Sequence, residues 1–91
     1  MRLEYSDGAQ KDLNEIHDAI REGSPDAARR FTEGILRRAR QIGLFPNSGR
    51  VPLGQEHTRT RELVEGQYII SYAVGPETVI ILGITHGARE R

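Results

Sequence analysis

Two runs of β-branched and aromatic residues, Tyr68–Val74 and Thr78–Thr85, occupy the last third of the chain. The sequence Gly-Pro-Glu at positions 75–77 separates them, and two such runs around a short turn predict a β-hairpin. The alternating segment before the hairpin, residues 59–64, is followed by a second turn signal at Glu65-Gly66. Together these segments predict three consecutive antiparallel strands.

The third of these strands is apolar on both faces. Side chains alternate between the two faces of a regular strand, which predicts one group of Ile80, Leu82, Ile84 and His86 and an opposite group of Val79, Ile81, Gly83 and Thr85. A strand with two apolar faces is typical of the interior of a sheet. We therefore expect this strand to be central and covered on both sides for much of its length.

A short alternating segment and two amphipathic stretches make up the first half of the chain. Residues 2–6 predict a strand at a sheet edge, and Ser6 or Asp7 is suited to cap the helix that follows. Gly23 is expected to end this helix in a left-handed conformation, and Ser24-Pro25 is expected to open a second helix. The predicted buried stripes are Ala9, Leu13, Ile16 and Ile20 in the first helix, and Ala28, Phe31, Ile35, Ala39 and Ile42 in the second.

The predicted order of elements is therefore β-α-α-β-β-β. A helical hairpin has to bury its apolar stripes, and the sheet is the only surface that can cover them. We expect an α+β fold in which the hairpin packs on a mainly antiparallel four-stranded sheet. The chain has 91 residues, which suits one domain over residues 1–91. A long loop rich in proline and glycine joins the second helix to the sheet at residues 44–58, and loops of that length are often functional.

The composition excludes several kinds of site. The chain has no cysteine, and its three histidines are widely spaced, so we expect no disulfide, no metal site and no cofactor. It has neither an N-terminal apolar run nor a segment approaching the ~20 apolar residues that span a bilayer. We expect a soluble cytoplasmic protein that does not act at a membrane.

The formal net charge is zero, but the charges are unevenly distributed. Residues 1–28 carry three basic and seven acidic groups, whereas residues 29–91 carry ten basic and six acidic groups. All but one of the basic residues are arginines, which suit bidentate contacts to carboxylate or phosphate. Overall neutrality argues against strong nonspecific binding to nucleic acid. A neutral chain can still carry a local arginine cluster in a cleft.

One group of residues is a candidate site: Arg50, Arg59, Arg61, His86 and Arg89. We expect the start of the strand at 59–64 to lie near the end of the last strand, which would bring these side chains together. Arginines beside a histidine suit phosphate binding and RNA cleavage, with the imidazole as general acid or base. The alternative is that the arginines pair with Glu56, Glu62 and acids of a partner, and residue types alone favour it. A further possibility is that the sheet and the helical hairpin form a surface that a partner completes.

The order of short motifs along the chain resembles the RelE/ParE superfamily of toxins from type II toxin–antitoxin modules. The Pro-x-x-Gly-Arg loop and the His-x-x-Arg ending are more similar to the ParE branch. The matching motifs are Ala9-x-x-Asp12-Leu13-x-x-Ile16, Pro25-x-x-Ala28, Ile42-x-x-Phe45-Pro46-x-x-Gly49-Arg50, Arg61-Glu62-Leu63, Tyr68-Ile69-Ile70-Ser71-Tyr72 and Ile84-x-His86-x-x-Arg89.

The resemblance implies a toxin whose helices and sheet are wrapped by the C-terminal segment of a cognate antitoxin. For the ParE branch it implies poisoning of DNA gyrase, with Arg50, Arg59, Arg61, His86 and Arg89 as target-binding residues. The alternative is a RelE-like, metal-independent endoribonuclease that cleaves mRNA on the ribosome, with Arg61 and His86 as catalytic residues. The ribonuclease branch tends to be strongly basic, whereas this chain is neutral and has no terminal tyrosine, so we favour gyrase.

Overall fold

The structure, a computed structural model, describes residues 1–87 and has the predicted order of elements. Its strands are β1 (Arg2–Tyr5), β2 (Thr60–Glu65), β3 (Tyr68–Val74) and β4 (Thr78–His86), and its helices are α1 (Asp7–Gly23) and α2 (Pro25–Leu44). One turn of 3₁₀-helix, Pro46–Ser48, follows α2. The α+β prediction is confirmed.

The four strands form one mixed sheet in the order β1-β4-β3-β2. The meander β2-β3-β4 is antiparallel, as predicted, and its first turn places Gly66 at a φ of 61°. β1 lies at the edge and runs parallel to β4, with Leu3 opposite Val79. β4 is therefore an interior strand, as its apolar character predicted.

The two helices begin where the sequence indicates. The side chain of Ser6 accepts a hydrogen bond of 3.0 Å from the N–H of Ala9, and Ser24 caps α2 in the same way through Ala27 at 3.1 Å. The predicted left-handed cap at Gly23 is wrong. Ser24, which follows it, has an extended backbone with φ of −161°, because the same residue ends α1 and serves as the N-cap of α2, where an extended conformation is required.

The core lies between the helical hairpin and one face of the sheet. Its fully buried members from α2 are the predicted residues Ala28, Ile35, Ala39 and Ile42, and its largest members from the sheet are Ile70, Tyr72, Val79, Ile81 and Ile84. Phe31 packs at the rim of this core, where its ring centroid is 4.9 Å from that of Tyr68. Its place on the buried stripe is confirmed, but it is only partly buried.

A β-bulge in β4 changes which side chains reach this core. Tyr72 pairs with Ile81, but Ser71 pairs with Gly83, so Leu82 is an extra residue opposite β3. Because one extra residue reverses the alternation, Ile84 joins Ile81 in the core. The predicted grouping of Ile84 with Leu82 is therefore wrong.

The helices cover only one face of the sheet. Leu82 lies on the other face with 40% of its surface exposed, and Ile80 there is half-buried. The prediction that β4 is covered on both sides for much of its length is therefore wrong. Because both helices are used on one side, residues 1–87 contain no element that covers the second apolar face.

Ser6, the N-cap of α1, and Asp12 within α1 complete the hydrogen bonding of β4 beyond the end of β1. The N–H of Ser6 donates to the carbonyl oxygen of Ile81 at 2.9 Å, and its hydroxyl donates to that of Leu82 at 3.1 Å. The N–H of Ile84 donates to Oδ2 of Asp12 at 3.0 Å. A Cβ added to Gly83 would lie 3.2 Å from the same carboxylate oxygen, so the small residue lets α1 approach the bulge.

Candidate functional site

Residues Phe45–Arg50, which we call the 45–50 loop, are bound to the middle of the sheet through Tyr72. The hydroxyl of this fully buried tyrosine donates to the carbonyl oxygen of Pro46 at 2.8 Å and accepts from the N–H of Gly49 at 2.8 Å. The loop is therefore held by a side chain of β3 and lies close against the sheet.

Glycine is required at position 49 because the backbone approaches the sheet so closely. A Cβ at this position would lie 2.5 Å from the Tyr72 hydroxyl and 2.7 Å from the carbonyl oxygen of Glu62. The second of these atoms is backbone and has little freedom to move. The Pro-x-x-Gly-Arg motif in this chain thus has a packing reason at its glycine.

Arg61 also contacts the 45–50 loop. It lies opposite Tyr72 in the β2–β3 pairing, so both side chains point to the same face of the sheet. Its Nη1 donates to the carbonyl oxygen of Gly49 at 2.7 Å and, at 3.4 Å, to that of Asn47. The guanidinium is therefore bound to backbone carbonyls of the chain itself.

Arg50 pairs with Glu62 through both backbone and side chain. Their backbones form two hydrogen bonds of 2.9 and 2.8 Å, and Nη2 of Arg50 lies 2.9 Å from Oε1 of Glu62. The alternative in which arginines pair with Glu62 is confirmed for Arg50. The Arg50 side chain remains 73% exposed, so the pair contributes only about 0–1 kcal/mol to stability and leaves the cation accessible.

Arg59 precedes β2 and is exposed. Its carbonyl oxygen accepts the N–H of Val74 at 3.0 Å, and its side chain forms no ion pair with residues 1–87. Arg50, Arg59 and Arg61 thus share one end of the sheet. Arg89, the fifth candidate, lies outside the described residues.

His86 lies at the opposite end of the sheet. Its Nε2 is 3.2 Å from Oε1 of Gln67, and its ring stands edge-on to Tyr68 with 5.3 Å between centroids. Tyr68 in turn contacts Phe31 of α2. The histidine therefore belongs to an aromatic cluster at the rim of the core.

The expected meeting of Arg61 and His86 is wrong. Arg61 is opposite Tyr72 and His86 is opposite Tyr68, and four residues of β3 span about 13 Å at ~3.3 Å per residue. Since β3 is antiparallel to both neighbours, β2 and β4 run in the same direction. The start of β2 consequently lies beside the start of β4, at the end of the sheet away from His86.

Two exposed apolar residues lie at the outer edge of β2, and their residue types had suggested no role. Phe45 is 66% exposed and Val64 55%. A shallow groove of about 260 Å³ lies beside Phe45 and is lined by Arg38, Gln41, Phe45, Ser48 and Leu63. One sequence signal could have indicated that Phe45 is exposed. It lies directly after an amphipathic helix and before a proline, so it belongs to no helical stripe that would bury it.

Arg38 fixes α2 to this same edge. Its Nε lies 3.0 Å from Oε1 of Glu65, and its Nη2 donates to the carbonyl oxygen of Val64 at 3.4 Å. Both charged side chains are about two-thirds buried. Arg38 lies off the predicted buried stripe of α2, and helical periodicity alone does not show that β2 passes beside it.

The arrangement suits binding more than bond chemistry. It consists of a fixed loop with an exposed aromatic residue at one end and an exposed arginine at the other. Among residues 1–87, no three His, Cys, Asp or Glu side chains come together as metal ligands. No helix in that range is long and apolar enough to cross a membrane.

Comparison with known proteins identifies relatives over nearly the whole chain. Residues 3–91 match the family described as the ParE toxin of the type II toxin–antitoxin system parDE. No curated protein matches the sequence significantly.

Two solved structures are similar in fold. One is from the chromosomal ParDE toxin–antitoxin system of P. aeruginosa, with a TM-score of 0.80, 20% identity and 96% of each chain covered. The other is from the RelBE2 toxin–antitoxin complex of Mycobacterium tuberculosis, with a TM-score of 0.59, 24% identity, and 93% of this chain and 95% of that chain covered. At these identities the similarity establishes the fold alone.

Proposed function

Because the chain belongs to the ParE toxin family of type II toxin–antitoxin systems, we propose that it poisons DNA gyrase by binding it and is neutralised by a cognate antitoxin. Both proteins act in the cytoplasm under this proposal. The toxin needs no cofactor and breaks no bond itself. Its effect comes from a surface that the target recognises.

The observation that carries the proposal is the presentation of Phe45 and Arg50 by a fixed loop. Arginine and large aromatic residues are enriched among the residues that dominate binding energy, and both are largely exposed here. The loop between them is bound to Tyr72 and Arg61. A surface that is already ordered loses less conformational entropy on binding, which favours this loop as the centre of the target contact.

The ribonuclease alternative has less support. It assigns Arg61 to the scissile phosphate and His86 to proton transfer, so both must reach one reacting group. They lie about 13 Å apart along the sheet by register, and Arg61 is bound to backbone carbonyls. Arg59, Arg89 and His86 remain target-binding candidates in the gyrase proposal.

Two observations support an antitoxin as the partner. Both similar structures come from toxin–antitoxin systems, and α2 presents exposed arginines at positions 30, 37 and 40. A partner segment that is acidic on one side and apolar on the other complements those cations and the apolar surface beside them.

Purified toxin should inhibit gyrase supercoiling and accumulate cleaved DNA complexes, and prior addition of the antitoxin should prevent both. Phe45→Ala and Arg50→Ala should each weaken inhibition by a graded amount, with Arg21→Ala as a charge-matched control on the far end of α1. Primer extension on mRNA from induced cells tests the alternative. Codon-phased cuts that disappear in both Arg61→Ala and His86→Ala would refute the gyrase proposal.

A further inference from the structure

The side chain of Arg61 points into the protein's own loop. Its shortest hydrogen bond, 2.7 Å, goes to the carbonyl oxygen of Gly49, and a second of 3.4 Å goes to that of Asn47. We propose that Arg61 is a positioning residue, which holds the 45–50 loop in its binding conformation and makes no direct contact with the target. This inference rests on the proposed function in taking that loop as the target contact.

Tyr72 supports the same role from a position that no partner can reach. It is 0% exposed and lies opposite Arg61 in the sheet. Its hydroxyl binds the carbonyl oxygen of Pro46 and the N–H of Gly49. The two side chains together satisfy four polar backbone groups between Pro46 and Gly49.

The rest of the loop backbone makes few other hydrogen bonds. The 3₁₀ turn contributes one backbone bond, from the N–H of Ser48 to the carbonyl oxygen of Phe45 at 3.0 Å, and the sheet edge contributes the pair between Arg50 and Glu62. Arg50 is therefore fixed independently at one end of the loop. Phe45 is fixed at the other end, where its N–H donates to the carbonyl oxygen of Gln41 at 2.8 Å as the C-cap of α2. The backbone between these two ends, residues 46–49, depends on Arg61 and Tyr72 for its position.

Loss of these bonds should act through the population of the ordered loop. A hydrogen bond from a charged donor stabilises by about 1.5–3 kcal/mol, which corresponds to a factor of about 10–100 in an equilibrium. If a ligand binds only the ordered loop, its apparent affinity is proportional to the fraction of molecules in which the loop is ordered. Arg61→Ala should therefore weaken toxicity by at most about 100-fold, and Tyr72→Phe, which removes the hydrogen bonds of a neutral hydroxyl, should weaken it by a smaller factor.

Loop order is measured first, on the free protein. The chain has no cysteine, so Ser48→Cys creates a unique site for a nitroxide label in the loop. The spectrum should be immobile in the otherwise unchanged protein and mobile in Arg61→Ala and in Tyr72→Phe. Arg61→Lys, which keeps one donor, should be intermediate, and Arg21→Ala should have no effect.

Toxicity is measured separately, as growth arrest at matched expression in cells. The inference expects the unlabelled Arg61→Ala and Tyr72→Phe variants to lose potency in the same order as their loops gain mobility. Circular dichroism shows whether each variant folds. If Arg61→Ala fails to fold, Tyr72→Phe and Arg61→Lys test the inference in its place. If wild-type toxin leaves gyrase untouched, the gyrase proposal fails, whereas label mobility and growth arrest still test the role of Arg61.

Two results would overturn the inference. In the first, Arg61→Ala abolishes growth arrest while the label stays immobile and Tyr72→Phe remains fully toxic; Arg61 would then contact the target directly. In the second, both variants mobilise the loop and full toxicity persists, so that the order of the loop has no role in target recognition.

Discussion

The carboxylate of Asp12 accepts a hydrogen bond from the backbone N–H of Ile84, with 3.0 Å between Oδ2 and N. This contact joins the first helix to the last strand at the point where the β-bulge interrupts the ladder. It completes the edge of β4 where β1 has already ended. It also gives a structural reason for the aspartate in the first-helix motif.

Asp12→Ala should lower the free energy of unfolding by about 1–3 kcal/mol, because the partly buried N–H of Ile84 loses its acceptor. Asp12→Asn should lose less, since the amide oxygen can still accept. Urea denaturation measures both, with Asp18→Ala as a control at an exposed acid of the same helix. Equal stability of Asp12→Ala and the control would show that water replaces the carboxylate without cost.

Ile35→Ala should abolish activity by unfolding, since Ile35 is 1% exposed and deletion of such a side chain costs about 2–5 kcal/mol. Phe31→Ala should cost less, because Phe31 lies at the rim and loses mainly its contact with Tyr68. Circular dichroism and denaturant titration measure which of the two variants is less stable. A Phe31→Ala protein less stable than Ile35→Ala would contradict the assignment of Phe31 to the rim.

Gly49→Ala should destabilise the protein by about 1–3 kcal/mol through overpacking against Tyr72 and the Glu62 carbonyl. Gly23→Ala is the matched comparison. Nothing lies within 4 Å of a Cβ at position 23, which is in the last turn of α1, so alanine there should stabilise by up to about 1 kcal/mol. Thermal melts of the two variants should move in opposite directions, and a shared direction would disprove the packing argument at Gly49.

Tyr5→Phe should change the response of stability to alkaline pH. Burial raises the pKa of Tyr5 above its ordinary value of 10.0, while the nearby Arg40 opposes the rise. In the unfolded chain the phenol therefore loses its proton at lower pH than in the native protein, and the free energy of unfolding falls as pH rises above about 10. Denaturation at about pH 8 and about pH 11 should show a smaller fall in Tyr5→Phe than in the wild type; an identical fall would assign the effect elsewhere.

The cognate antitoxin should raise the melting temperature of the toxin. A ligand that binds only the native state stabilises it by about 4 kcal/mol at a thousandfold excess over the dissociation constant. Charge complementarity predicts that Arg30→Glu or Arg37→Glu weakens this effect, whereas Arg21→Glu does not. An unchanged melting temperature at saturating antitoxin would argue against the complex.

The period of the apolar residues was enough to predict the elements and the interior position of β4. The helix starts came from residue types, with Ser24 as the second cap and either Ser6 or Asp7 as the first. It was not enough to predict the bulge, because Leu82 and Ile84 are both apolar and either fits a regular alternation. The side of the sheet that Ile84 and His86 reach depends on one extra residue. The residues that contact this region are distant in sequence: the Ser6 hydroxyl donates to the carbonyl oxygen of Leu82 and the Asp12 carboxylate accepts from the N–H of Ile84, each more than 70 positions away.

The candidate site was predicted in part. The sequence identified Arg50, Arg59 and Arg61 as a group, and they share one end of the sheet. The prediction that His86 joins this group was wrong because it misjudged strand direction. β2 and β4 are both antiparallel to β3 and therefore run the same way, so the end of β4 lies far from the start of β2. The use of Arg61 to hold loop carbonyls had no signal, because an arginine that binds its own backbone has the same pattern as one that binds a ligand.

The parallel pairing of β1 with β4 has a consequence for biosynthesis. β1 finds its partner only in β4, the last of the four strands of this sheet to be synthesised, with Arg2 opposite Thr78. At about 5–20 residues per second, roughly 4–15 s of translation separate the two. Throughout that interval the nascent chain lacks the strand that carries much of its core, so the domain completes its fold only after β4 has been made.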